Sequence, residues 1–285
     1  MEILLATAIW GSSFFVVKDA VLSVNPSVVV AYRFLIAAVV FLAIGLALKK
    51  NPFGKFVIGI GLGAVYSLAY IFQTIGLVTT SSAHSSFITG LFVFTTPLFS
   101  YLLFRTVPKK KFIIAVLCAL AGLWILTGGI TDISFGDAIT FIVPFSVGLY
   151  GVLLEKYVRH VDMIPLLFQQ SLVIGIAALI VAVWSRASLA VPGASIWYAL
   201  GYLALFPAAL SAFLQADAQK YISANRAGII SSLEPVFASV FAWWLGHEYM
   251  DARIAVGGLL IVIATVLNEA QWTARQGSRH ADKSL

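Results

Sequence analysis

The sequence predicts an all-α membrane protein of ten transmembrane helices, built as two five-helix repeats of inverted topology. Three observations carry this expectation. Composition is the first: 61% of the 285 residues are hydrophobic and 11% are charged, with a mean hydropathy of +0.99, whereas about a quarter of a soluble domain is charged. The second is a regular succession of apolar runs, and the third is a pattern that occurs twice in the chain with its basic residues gathered on one side.

The apolar runs place helices at 3–19, 27–48, 54–76, 83–104, 111–128, 135–156, 164–184, 194–217, 224–245 and 252–271. Each approaches the roughly 20 residues needed to cross about 30 Å of hydrocarbon. The run from Ile3 to Val17 follows Met1-Glu2 with no basic segment before it and no small-residue cleavage pattern behind it, so it reads as a retained helix rather than a signal peptide. Connections are short, which makes consecutive helices antiparallel, and no strand-like alternation is present to suggest a β-barrel. Gly59, Gly61 and Gly63 give the third helix a small-residue face suited to close helix approach. The lone Cys118 lies within the apolar run Phe112–Leu126, which leaves neither a disulfide nor a cysteine metal site. No phosphate-binding Gly-x-x-x-x-Gly-Lys loop occurs, and His247-Glu248 lacks the second histidine of a zinc-protease motif. No cofactor and no enzyme chemistry are expected.

The net charge of +6 follows from topology, without invoking nucleic acid. Counting connections from the N-terminus, one side receives Lys49, Lys50, Lys55, Arg105, Lys109, Lys110, Lys111, Lys156, Arg159, Lys220, Arg226, Arg275, Arg279 and Lys283; the other receives Lys18, Arg186 and Arg253. Fourteen against three is a positive-inside bias that puts both termini in the cytoplasm, as expected for an even number of spans in the cell (inner) membrane.

The stretch from Ser82-Ala83-His84 to Pro97 is matched by Ser223-Ala224-Asn225 to Pro235, the second copy reaching its proline three residues sooner. A glycine-bearing helix follows each, around Gly122 and Gly257-Gly258. Residues 1–130 and 131–272 are therefore read as two repeats, with 273–285 as a cytoplasmic basic tail. Five spans per repeat is an odd number, so the second copy enters from the opposite side, an architecture found mainly in transporters. Symmetry is imperfect where the ninth helix ends in Gly246-His247-Glu248 and the first copy has Pro108-Lys109-Lys110.

Five stretches carry a resemblance: Trp10-Gly11-Ser12-Ser13-Phe14, Tyr32-Arg33-Phe34, Gln73-Thr74-Ile75-Gly76-Leu77, Phe87-Ile88-Thr89-Gly90-Leu91 and Ser231-Ser232-Leu233-Glu234-Pro235-Val236-Phe237. In order and spacing they resemble the drug/metabolite transporter superfamily, specifically its EamA-domain members. The resemblance implies a ten-helix carrier of small metabolites, often an exporter of amino acids, including members that export aromatic ones. The expected partners are the lipid bilayer, a small-molecule solute and, through an acid at membrane depth, protons. A non-transporting receptor with the same pocket and an importer of another metabolite are the alternatives.

Ionisable groups at membrane depth cost about 2.5–3.5 kcal/mol on insertion scales, so the few present are the first candidates for coupling or gating. Glu234 falls near the bilayer middle beside Pro235; it either binds a cation or carries a proton, or else locks helices together. Arg33 lies two turns inside its helix, where it either snorkels to the interface or meets a carboxylate. His84 stands among serines at a helix start, as an exposed cap or a pH-sensitive gate. Tyr66, Tyr70 and Gln73 recur at i, i+4 and i+7 and define a polar stripe. With Trp10, Ser13, Phe14, Thr89, Thr96, Tyr150 and Gln170, the repeat counterpart of Arg33, they make an aromatic chamber with a few polar fixing points. Each aromatic also has a plain packing role open to it, and glutamines often tie helices.

Overall fold

The computed structural model describes residues 1–107, 109–129, 133–246 and 252–281, with side chains described for all of these but 82, 83, 242, 245, 246 and 268–281. All regular structure among them is helical. The helices are α1 (Glu2–Ala20), α2 (Pro26–Ala47), α3 (Phe56–Gly76), α4 (Ser82–Gly90), α5 (Phe92–Phe104), α6 (Lys110–Thr127), α7 (Phe135–Thr140) and α8 (Ile142–Val158). They continue with α9 (Met163–Trp184), α10 (Gly193–Leu203), a π-helical segment Ala204–Leu210, α11 (Ser211–Ala218), α12 (Ala224–Ser231), α13 (Glu234–Gly246) and α14 (Ala252–Ala281). Pro108, His247, Glu248 and residues 282–285 lie outside the described residues, and α14 takes in 273–281 of the segment read as a tail.

Eight helical stretches among the described residues are long and apolar enough to cross a membrane: α1, α2, α3, α4–α5, α6, α7–α8, α9 and α10–α11. The chain is a multi-pass membrane protein. Three of the interruptions sit at prolines, whose ring clashes with the carbonyl four residues back and whose nitrogen donates nothing. Pro144 follows the break at Phe141, Pro235 follows that at Ser232-Leu233, and Pro207 stands inside the π-helical segment. Pro97 lies within α5, six residues beyond the break at Leu91.

Capping residues set the helix starts. Asn25 accepts from the Ser27 N–H, Ser81 from the His84 N–H, and Ser223 from the Arg226 N–H. Asp137 and Ser134 form a reciprocal capping box at α7. The connections fall alternately on two faces of the bundle. On the basic face, Lys50 pairs with Asp162 at 3.0 Å and the Lys55 ammonium donates to the His160 carbonyl. On the opposite face, Lys18 donates to the Leu77 and Thr80 carbonyls, and the Tyr32 hydroxyl to the Leu189 carbonyl.

α1 and α8 each pack against helices distant in the chain. α1 lies against α11 and α13, and at Gly11 an added Cβ would stand 2.8 Å from the Glu234 carbonyl oxygen and 2.8 Å from Phe237 Cβ. α8 lies against α3 and α5, where Gly148 faces Thr95 and Thr96 and the Ser146 hydroxyl donates to the Val65 carbonyl. Close approach also explains two of the three glycines in the first half of α3. Gly59 faces Gln169 and Gly63 faces Val173 and Gln170 of α9, while Gly61 has nothing within 4 Å.

Candidate functional site

A cavity opens at the centre of the bundle, lined from α1, α2, α3, α4, α5, α8, α11, α12 and the start of α13. Its empty space, mouth included, is about 860 Å³, of which a water centre can occupy about 70 Å³.

α3 supplies one wall. Tyr66, Tyr70 and Gln73 share a face of that helix and all line the cavity. The Tyr70 hydroxyl donates to the Tyr66 hydroxyl at 3.3 Å, and Gln73 Nε2 donates to Thr89 Oγ1 at 2.9 Å. Trp10 and Ser13 line the facing wall, with the indole N–H held by the Pro207 carbonyl at 3.0 Å. That bond ties α1 to the π-helical segment, where the backbone is already displaced from regular geometry. Phe14, Phe92 and Thr96 complete the middle.

Arg33 does not snorkel. It is 3% exposed and lines the cavity, with its guanidinium 4.9 Å from the Tyr70 ring centroid and 5.3 Å from that of Phe34. Cation–π attraction holds it against these faces, and its Nε has no hydrogen-bond partner. Glu234, partly buried, opens α13 and lines the same cavity. No ion pair within 4.0 Å joins it to Arg33. One cation and one acid are thus exposed to a shared void without neutralising each other directly.

Two residues of the expected chamber stand behind its wall. Tyr150 is fully buried, stacked on Tyr66 with ring centroids 3.8 Å apart and planes 10° apart, and its hydroxyl donates to Gln170 Oε1 at 3.2 Å. Gln170 is likewise buried. The neighbouring Gln169 donates to the Pro52 and Gly54 carbonyls, fastening the α2–α3 connection to α9. His84 also lies outside the cavity. Its Nδ1 is 3.4 Å from Asp137 Oδ1, and that buried carboxylate accepts from the Thr80 hydroxyl and from the Ser134 amide and hydroxyl. This cluster joins α4 to α7 at the face opposite the basic one.

Sequence reasoning missed Gln215, Gln219 and Ser231, all of which line the cavity. The two glutamines are one turn apart at the end of an apolar helix, where they read as the edge of a loop. A usable signal was present: Gln215 occupies the place in its helix that Gln73 has in α3, each three residues before the last helical residue.

Comparison with known proteins gives consistent results. The profile of the EamA-like transporter family matches twice, over residues 2–128 and 134–269. An uncharacterized transporter of Archaeoglobus fulgidus is 30% identical over 266 residues, covering 92% of this chain and 83% of its own. The uncharacterized transporter YyaM of Bacillus subtilis is 28% identical, over 90% of this chain and 88% of its own. The S-adenosylmethionine/S-adenosylhomocysteine transporter of Chlamydia muridarum is 26% identical, over 96% and 92%. A solved structure, described as the crystal structure of a protein, has a TM-score of 0.79 over 96% of both chains at 20% identity, a likeness of fold.

Proposed function

We propose that this chain, which belongs to the EamA-like transporter family, exports amino acids, aromatic or other neutral ones, by alternating access between two inverted five-helix repeats. The family and its relatives are transporters, not enzymes. The observation that carries the substrate class is the central cavity, in which Arg33 and Glu234 face the same space between aromatic side chains. Arg33 suits a carboxylate, Glu234 suits an ammonium or a proton, and the rings suit an apolar side chain.

Equivalent positions support the repeat reading. α5 and α13 each have 13 residues and begin 142 positions apart, at Phe92 and Glu234. The caps Ser81 and Ser223 keep that interval, which moves the register by one residue from the pairing of Ser82 with Ser223. α2 and α9 have 22 residues each and are followed by left-handed residues Lys49 and Arg186, 137 positions apart. Gly11 and Gly148 are 137 apart too, and they pack on α13 and α5, the proline-bearing segment of the fourth span in the other repeat. On this reading α12–α13 and α14 are the ninth and tenth spans, both termini are cytoplasmic in the inner membrane, and the cavity lies at the repeat interface.

Counterflow of labelled phenylalanine, leucine and S-adenosylmethionine in proteoliposomes tests the function. The last is included because the Chlamydia muridarum relative favours a nucleoside-bearing amino acid as the second reading. Saturable phenylalanine exchange is expected, and its absence with active S-adenosylmethionine exchange shifts the reading to the second. For coupling, Glu234→Gln is expected to flatten the pH dependence of flux; identical pH profiles for both proteins refute a proton role.

A further inference from the structure

We propose that Gln215 and Gln219 form a second solute station, at the basic-face end of the cavity, that takes the ammonium group of the solute. The proposal builds on the amino-acid reading above but has its own evidence. Both residues line the cavity, at 8% and 1% exposure, and the side-chain carbonyl oxygen of each has no hydrogen-bond partner. Buried polar atoms are nearly always paired, so two unmet acceptors one helical turn apart on a cavity wall call for a donor from outside the protein. An ammonium group carries three N–H donors and no acceptor.

The contrast with the other end of the cavity is informative. There the Gln73 amide is already engaged with Thr89, and the unmet atom is a donor, Arg33 Nε. Arg33 is the eighth residue of α2, counted from the opposite face, whereas Gln215 is three residues from the basic-face end of α11. At 1.5 Å per residue the two are roughly 15–20 Å apart along the bundle, too far for one α-amino acid head group to meet both. The station near the basic face is therefore separate, and it is the one a solute meets first or last on that side. Gly151 lines the cavity beside it, and an added Cβ would make ordinary contact with Gln219 Nε2 at 3.8 Å and Ala224 Cβ at 3.9 Å, without overlap.

The test uses purified full-length protein and two probes, phenethylamine (an ammonium without a carboxylate) and 3-phenylpropionate (the reverse), titrated calorimetrically. Wild type is expected to bind phenethylamine, with Gln215→Leu/Gln219→Leu weakening it at least tenfold and Gly61→Ala, which lies outside the cavity lining with nothing within 4 Å, leaving it unchanged. Binding of 3-phenylpropionate is expected to survive Gln215→Leu/Gln219→Leu and to fall in Arg33→Gln. Gly151→Val, which keeps both amides but fills the space beside them, is expected to weaken phenethylamine as well, so the result does not hang on one variant's folding. The station is overturned if wild type does not bind phenethylamine, if the double variant binds it equally well, or if only Glu234→Gln weakens it. Loss of phenethylamine binding in the double variant, with no amino-acid counterflow by wild type, upholds the station and fails the transport reading instead.

Discussion

The contact of α1 with α13 makes a quantitative prediction through Gly11. An alanine there would put its Cβ 2.8 Å from the Glu234 carbonyl oxygen, 2.8 Å from Phe237 Cβ and 2.9 Å from the Ala238 nitrogen. Carbon contacts are optimal at roughly 3.5–4.0 Å, so the overlap is about 0.7 Å or more. Two of the three opposing atoms are backbone and cannot swing aside, so the helices must part. Overpacking of this kind costs about 1–3 kcal/mol, against about 1 kcal/mol gained from replacing glycine in a helix. Gly61→Ala on α3 isolates that gain, since nothing lies within 4 Å of its Cβ position. At about 2–4 °C per kcal/mol, the apparent Tm of Gly11→Ala in detergent should fall roughly 2–12 °C below that of Gly61→Ala. Because the displaced atoms include the backbone of Glu234, flux should fall in the same variant. Equal melting of the two alanine variants refutes the close-packing argument.

Three further outcomes follow from named contacts. Trp10→Phe leaves the Pro207 carbonyl without its donor; an unmet buried acceptor costs about 1–3 kcal/mol, so the apparent Tm should fall by several degrees. Asp137→Ala strips the acceptor from Thr80, Ser134 and His84 at once, and a loss of about 2 kcal/mol should appear as faster hydrogen exchange at the start of α7. Tyr150→Phe keeps the stack on Tyr66 and removes only the bond to Gln170. It should cost about 1 kcal/mol in stability and leave the KM of counterflow unchanged, whereas Tyr70→Phe, inside the cavity, should raise it.

The helix positions were legible because a bilayer imposes one length and one composition on whatever crosses it: the run at 3–19 became Glu2–Ala20 and that at 164–184 became Met163–Trp184. Interruptions within spans were less so. A proline in a membrane helix signals a weak point, yet Pro97 and Leu91 show that the break can lie well away from it. The stripe Tyr66-Tyr70-Gln73 reached the cavity because i, i+4, i+7 spacing fixes a common face whatever the surroundings. Periodicity does not say which face of a neighbouring helix meets that stripe, so Tyr150 was placed among the lining when it in fact backs Tyr66. Arg33 stayed open between two readings for a related reason. Its depth alone allowed the side chain to reach either water or the interior, and the choice was made by two aromatic faces, one of them on α3, a separate helix.

The lodging of α1 against α11 and α13 has a consequence for how the protein is made. α1 leaves the ribosome well before α11 and α13, and the partners that cover Thr7, Trp10 and Gly11 lie about 200 residues later in the chain. During synthesis it must wait in the lipid, or against the insertion machinery, with the Trp10 indole N–H unsatisfied. Residues 1–130 cannot complete the packing of α1 by themselves, so a chain truncated after residue 130 should be degraded when expressed alone and rescued by co-expression of the remainder.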